Sequence, residues 1–282
     1  MICAWQDLIN ILPVWLRQSV DKLGKNNLQE LRLRLGQPPY LKLNDRDIWL
    51  DQKISAADIH FCINTASKYS PWLTETADNG YITAPGGHRI GICGNIFNAT
   101  GSVTNLSGLT SLCIRVARDF PGIAKAVPND AKSILIIGKP GTGKTTLLRD
   151  LIRQISDSHK TCIAVVDERA EIFPRASGTF CFQTGKHTDV ITGCSKAKGI
   201  NAVLRAMGPD TIAIDEITAS EDCRALFHAG WCGVKLIATA HAGNIKDLYR
   251  RPLYKPIIEN QIFDTVITLQ SDKTWHWERL NT

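Results

Sequence analysis

The run Gly138-Lys139-Pro140-Gly141-Thr142-Gly143-Lys144-Thr145 has the spacing GxxxxGK[ST], and Thr146 carries it into the helical stretch TLLRDLIRQI. The spacing has a physical reason. Glycines let successive backbone N–H groups turn inward around a phosphate, and the start of a helix adds its dipole. Lys144 can then reach the β and γ oxygens, and Thr145 offers a hydroxyl to Mg²⁺. An apolar run, Ile134 to Ile137, precedes the loop, so the order strand, loop, helix matches what this chemistry requires. The expected ligands are ATP and Mg²⁺, and no other metal.

Downstream, Ile212-Ala213-Ile214-Asp215-Glu216 ends an apolar run with two carboxylates. Asp215 is expected to hold Mg²⁺ through water. Glu216, one residue on and pointing elsewhere, is expected to polarise the attacking water as general base. A second run, Val165-Val166-Asp167-Glu168-Arg169-Ala170-Glu171, also ends in acids. Asp167 is a candidate for the same site, with ordinary strand-end solvation as the alternative. In Thr239-Ala240-His241-Ala242-Gly243, His241 either faces a γ-phosphate or is structural.

These residues need a sheet whose strand ends lie side by side. From Ser133 onward, short continuous apolar runs alternate with helical stretches: Ile134 to Ile137, Cys162 to Val166, Thr211 to Ile214 and Leu236 to Ala238. This is how buried parallel strands read, so an α/β fold with a helix-flanked parallel sheet is expected over residues 132–282. Residues 1–120 read differently, as a smaller α+β domain. Leu31, Leu33 and Leu35 alternate with Arg32 and Arg34. Ser55 and Asp58 make a capping-box-like helix start, with Pro71 ending that helix, and Gly86-Gly87 centres a hairpin within Gly80 to Gly94. Leu112 to Val116 adds a strand, and residues 121–131, with Pro121, Gly122 and Pro128, read as a linker. Ile2, Trp5, Ile9, Leu12 and Leu16 recur at helical spacing, as a helix docked on its own domain or lying on a membrane.

Composition narrows the class. The 282 residues are 44% hydrophobic and 21% charged, near the average of globular chains and far from disordered or fibrous ones. Nine cysteines is an odd count, and with no CxxC pair it fits a reducing cytoplasm better than a disulfide scaffold or zinc site. No apolar run approaches the ~20 residues needed to span a bilayer. The net charge of +6 comes without a long basic run. Trp275 and Trp277, two apart, share one face of a possible strand, where they either dock a partner or cover the sheet end.

Taken in order, these segments resemble the secretion ATPase superfamily of type II secretion, type IV pilus and type IV secretion motors, and most closely a sporulation branch of it. Glu30-Leu31-Arg32-Leu33-Arg34-Leu35-Gly36-Gln37-Pro38-Pro39 is similar to its DLHLRxGxPP segment, and Leu204 to Ile212 to its LRxxPDxI segment with one extra residue. Asp167 to Glu171 and His241 stand where that superfamily has its Asp and His boxes. Gly87-His88-Arg89-Ile90 and Cys113-Ile114-Arg115 resemble segments whose arginines reach the nucleotide. The resemblance implies a RecA-like P-loop domain, catalytic roles for Arg89 and Arg115 beside Glu216, Asp167 and His241, and a homo-hexameric ring. It further implies a cytoplasmic motor, peripheral at the membrane on the mother-cell side, that couples ATP hydrolysis to a membrane-embedded envelope channel. Asp215 departs from the Gly often found there, and the superfamily's tetracysteine insertion is missing. Two other readings stay open: a RecA-like translocase stimulated by nucleic acid, with Lys186, Lys196 and Lys198 as phosphate contacts, and an ATP-gated scaffold.

Overall fold

The computed structural model describes residues 1–67, 77, 80–95, 108–128, 130–159, 161–176 and 178–280. They form two units, Met1–Asp119 with Pro174–Cys181, and Phe120–Phe173 with Phe182–Thr282. The segment 121–131, which reads as a linker, counts with the second unit, where Ala124 and Val127 are buried. Its Pro and Gly residues break every regular period, but the Asp150 carboxylate fixes it by accepting the backbone N–H groups of Gly122 and Ala124.

In the first unit six strands make one antiparallel sheet: β1 (Leu28–Arg34), β2 (Tyr40–Leu43), β3 (Asp47–Trp49), β4 (Tyr81–Thr83), β5 (Arg89–Gly94) and β6 (Leu109–Arg115), in the order β3-β2-β1-β6-β5-β4. Alternation in β1 works as the sequence implies, burying Leu31 and Leu33. The β4–β5 hairpin turns through Gly86 and Gly87, whose φ angles of 76° and 81° lie in the region that favours glycine. The expected amphipathic helix at the start is two helices, α1 (Trp5–Asn10) and α2 (Val14–Asp21), because Pro13 cannot continue the first. Leu8, Leu12, Leu16 and Val20 are buried in the core of this same unit. Helix α3 (Ala56–Ser67) opens on the expected box: the Ser55 N–H donates to Asp58 Oδ2 at 2.8 Å and the Asp58 N–H to Ser55 Oγ at 3.2 Å. Pro71, expected to end it, lies outside the described residues. His88 is fully buried and joins the chain start to the sheet. Its Nε2 lies 2.9 Å from the Ala4 carbonyl, and its Nδ1 accepts the Ala117 N–H at 3.1 Å.

The second unit holds a seven-stranded sheet of β7 (Ile134–Gly138), β8 (Ile163–Asp167), β11 (Thr188–Thr192), β12 (Thr211–Ile214), β13 (Lys235–Ala240), β14 (Thr265–Leu269) and β15 (Trp275–Arg279). The order is β11-β8-β12-β13-β7-β14-β15, parallel throughout except for the antiparallel edge strand β15. Between β8 and β11 the chain forms a short hairpin, β9 (Arg175–Ala176) and β10 (Thr179–Phe180), that counts with the first unit. Helices α4 (Lys144–His159), α5 (Lys196–Ala206), α6 (Ser220–Trp231), α7 (Ile245–Arg250) and α8 (Lys255–Glu259) complete the unit. The apolar runs of the sequence become strands whose residues are all buried in β7, β8 and β12. On β15, Trp275 is half-buried and Trp277 is exposed. Among the described residues no helix is long and apolar enough to cross a membrane.

One face of α4 is polar yet buried. Arg149 Nη2 donates to the Glu171 carbonyl at 3.0 Å and its guanidinium lies 4.3 Å over the Phe182 ring. Arg153 donates to Asp150 at 2.6 Å. These residues hold onto α4 the segments that follow β8 and that enter from residue 120.

Candidate nucleotide site

Strand order sets the site. β8, β12, β13 and β7 are consecutive neighbours running in one direction, so Asp167, Asp215 with Glu216, His241 and the loop after Gly138 lie at the same carboxyl edge of the sheet. The loop Gly138–Thr145 takes the turn its glycines permit. Gly141 and Gly143 have φ of 79° and 104°, and a Cβ on Gly138 would stand 2.6 Å from Thr142 Oγ1. Thr142 closes the loop by donating to the Lys139 carbonyl at 2.9 Å. Pro140 is exposed on the loop, and Thr146 is half-buried in the first turn of α4.

Lys144 is buried and its ammonium donates to the Gly138 carbonyl at 3.0 Å, the Lys139 carbonyl at 3.2 Å and His241 Nδ1 at 3.0 Å. That accounts for all three of its protons. Burial lowers its pKa, against the opposing pull of Asp215 and Glu216. Because an ammonium cannot accept, His241 Nδ1 must be the acceptor. The ring proton is then on Nε2, which lies 2.9 Å from Glu216 Oε1. A continuous chain of hydrogen bonds thus runs from the phosphate-loop lysine through His241 to Glu216.

Asp215 is held from two sides. Thr145 Oγ1 donates to its Oδ2 at 2.8 Å, and Thr239 Oγ1 donates to its Oδ1 at 2.6 Å. The same Thr239 oxygen accepts the Glu216 N–H at 2.8 Å. Glu216 has φ of 39°, a left-handed conformation that costs a non-glycine residue energy and recurs at functional positions. Thr145 and Asp215, two hard oxygen donors brought together after different strands, fit Mg²⁺.

Asp167 is used otherwise than expected of a catalytic carboxylate. Its Oδ1 accepts the Glu171 N–H at 2.8 Å, and its Oδ2 accepts those of Ile172 at 3.0 Å and Phe173 at 2.8 Å. Burial pushes it up to about 6 against these donors, and nearby Asp215 adds in the same direction. It organises the loop after β8 at the border of the site, and shares a small pocket with Glu168, Lys196, Asp215, Glu216 and Thr218.

Arg89 and Arg115 belong to the first unit, where they stand opposite one another on β5 and β6. Glu30 faces Arg115 from β1, with Arg115 Nε 3.7 Å from Glu30 Oε2. The Arg89 guanidinium lies 3.8 Å over the Tyr81 ring. Like charges opposite each other repel, and the half-buried Glu30 offsets that.

One residue of the site, Thr239, has no role in the reading of the sequence, and another, Lys196, holds a different role from the one expected. Thr239 is one of several buried threonines on strands, and nothing in its surroundings in sequence marks it. Lys196, expected as an exposed phosphate contact, is buried instead. Its Nζ lies 2.6 Å from Glu168 Oε2 and 3.6 Å from Asp222 Oδ2. Lys186 and Lys198 are exposed.

Residues 4–276 match the family model described as sporulation stage III, protein AA. The chain is 35% identical over 280 residues to the stage III sporulation protein AA of Bacillus subtilis (strain 168), covering 95% of this chain and 91% of that protein. It is 28% identical over 265 residues to the uncharacterized protein ycf45 of Porphyra purpurea, spanning 90% of this chain and 43% of that longer protein. In fold it is similar to the Legionella pneumophila ATPase DotB, with a TM-score of 0.63 at 15% identity over 96% of this chain and 82% of that one. The pilus retraction motor PilT with bound ADP is also similar, with a TM-score of 0.63 at 14% identity over 94% and 83% of the two chains. The fold is therefore the α/β, RecA-like P-loop fold of the ATPase DotB and the pilus retraction motor PilT, and the chain belongs to the sporulation stage III, protein AA family.

Proposed function

We propose that this chain is an Mg²⁺-dependent ATPase of the secretion motor type. The observation that carries the reading is the continuous hydrogen-bonded chain of Lys144, His241, Glu216, Thr239, Asp215 and Thr145 at the phosphate loop. On ATP binding, Lys144 exchanges its carbonyl partners for phosphate oxygens, and the loop amides from Gly138 to Thr145, with Thr146 behind them, cradle the β-phosphate. Thr145 and Asp215 would hold Mg²⁺, which would supply positive charge to offset that of the phosphates. Glu216 accepts a proton from water as the water oxygen bonds to the γ-phosphorus and the bond to the β,γ-bridging oxygen breaks. His241, donating from Nε2 to Glu216 and released by Lys144, orients that carboxylate and senses whether phosphate is present. Arg89 and Arg115 supply positive charge to the transition state, within one chain or from a neighbour in a ring. Asp167 fixes the loop that borders the water.

The same reading extends to a homo-hexamer whose hydrolysis serves a sporulation-associated, membrane-embedded envelope channel, with the motor on the cytoplasmic, mother-cell face. It is supported by the family's sporulation name and by likeness in fold to the ATPase DotB and the pilus retraction motor PilT. Burial of Lys196 between two acids weakens the nucleic-acid reading, because that lysine is not free to meet a backbone phosphate. Phosphate release with and without single-stranded DNA, at two salt concentrations, separates the readings. Hydrolysis indifferent to DNA is expected. Stimulation by DNA that fades with salt would establish the translocase, and nucleotide binding without release would establish the scaffold.

A further inference from the structure

Lys196 sits where a lysine is hard to keep. It is the first residue of α5, where the helix dipole disfavours a cation, and the first turn of α5 contains no acidic residue to offset it. It is also buried, with its side chain 8% exposed, and stripping a cation of water is costly unless acids surround it. Those acids come from two other elements. Glu168, just past β8, lies 2.6 Å from Nζ, and Asp222, in the first turn of α6, lies 3.6 Å away. The base of the lysine is fixed in turn, because Gly199 lets α5 sit flush on β8. A Cβ there would meet Val166 Cγ1 at 2.4 Å.

Asp222 does more than pair with the lysine. Its Oδ2 accepts the backbone N–H groups of Thr218 at 3.0 Å and Ala219 at 3.1 Å, and the Thr218 hydroxyl at 3.3 Å. That single oxygen shapes the turn immediately after Glu216 and Ile217. From the other side, the Ile217 N–H is bound to the Thr239 carbonyl at 2.9 Å. Glu216 itself, held at positive φ, depends on both ends of this turn. Lys196, Glu168, Glu216 and Thr218 line one pocket.

We propose that Lys196 is a positioning residue for hydrolysis: its ammonium ties the acidic loop after β8 to the turn that presents Glu216, and so fixes the water-activating carboxylate. The inference rests on the ATPase reading above. A structural lysine would lower stability and nucleotide affinity together. A positioning lysine acts on turnover while ATP binding, which uses the loop from Gly138 to Thr145, persists.

The test measures steady-state ATP hydrolysis and ATP binding by the full chain as wild type, Lys196→Met, Lys196→Arg and Glu168→Gln. For Lys196→Met, kcat is expected to fall about tenfold or more, equivalent to ~1.4 kcal/mol in the barrier, with ATP affinity within about twofold of wild type. Lys196→Arg, which keeps the charge and the reach, restores most of the lost turnover. Wild-type kcat in Lys196→Met overturns the proposal. Should Lys196→Met fail to fold, Glu168→Gln decides, since it breaks the bridge while leaving Asp222 to pair the lysine: reduced kcat at retained affinity upholds the role, and unchanged kcat overturns it. A wild-type chain that binds ATP and releases no phosphate would instead overturn the ATPase reading, and this inference with it.

Discussion

Replacing Asp150 with Ala should destabilise the second unit by about 3–5 kcal/mol, the range for removing one partner of a buried ion pair. The side chain is 1% exposed, and its oxygens accept from Arg153 Nη2 at 2.6 Å, Gln154 Nε2 at 2.6 Å, Gly122 N at 2.9 Å and Ala124 N at 2.8 Å. Removal takes the carboxylate from the buried Arg153 guanidinium and leaves two backbone N–H groups without their acceptor, each of the latter worth ~1–3 kcal/mol. These penalties overlap, because the segment 122–124 can shift toward water once released. The expected loss is still a large share of the ~5–15 kcal/mol that holds a domain folded. Asp150→Asn keeps a carbonyl acceptor and should lose only about 1–3 kcal/mol. Hydrogen exchange of α4 amides across a urea series reads this unit alone. In a double-mutant cycle with Arg153→Met, the two losses should fall short of additivity by ~0.5–3 kcal/mol, since each single change removes the same ion pair. Acid supplies a second readout. Burial raises the Asp150 pKa, but the Ala124 and Gly122 amides and Arg153 outweigh it and hold the carboxyl below its ordinary value. A depressed folded pKa means the stabilisation is complete above the unfolded value of ~3.9 and is lost as pH falls through the lower folded one. A loss below ~0.5 kcal/mol for Asp150→Ala, the usual result of a surface change, would refute the reasoning.

Gly199→Ala sets two effects against each other. Alanine gains up to ~1 kcal/mol of helix propensity, but its Cβ would meet Val166 Cγ1 at 2.4 Å, and overpacking costs ~1–3 kcal/mol. A net loss of stability by thermal melting is expected. In the first unit, burial lowers the His88 pKa, with the Ala4 carbonyl and Asp7 pulling upward and Arg118 downward. Its neutral ring therefore contributes stability that is present above the unfolded pKa of ~6.5 and is lost as pH falls through the lower folded value. Denaturation of wild type and His88→Ala between pH 8 and pH 5 should show the acid-side loss in wild type only.

The candidate site was legible in sequence because the residues that compose it are local. Gly138 to Thr145 must be contiguous to wrap a phosphate, and buried parallel strands announce themselves as apolar runs that end where Asp215 and His241 begin. Strands β11 and β14 were not, because β11 is half-buried and follows irregular chain, and β14 follows two short helices whose spacing carries no strand period. The buried charges on α4 carry no local mark, since their partners at Gly122, Glu171 and Gln183 lie 22 to 30 residues away in sequence. Lys196 misled for the same reason: a lysine is ordinarily exposed, and only Glu168 and Asp222, on separate elements, explain why this one is not. A lysine in the first turn of a helix, against the dipole, was the one local signal that could have flagged it. Likewise, the chain's passage into the first unit at Pro174–Cys181 depends on distant packing and has no mark of its own.

The central claim is that Glu216 activates water in a site that binds ATP through Lys144. The direct measurement is Glu216→Gln, an isosteric change that removes the carboxylate charge, followed by ATP affinity and phosphate release under identical Mg²⁺. Affinity should stay near wild type, because the amide can still accept from His241 Nε2, while turnover falls by ~10²- to 10⁴-fold, the range attributed to a general base. Turnover near wild type in Glu216→Gln would contradict the account.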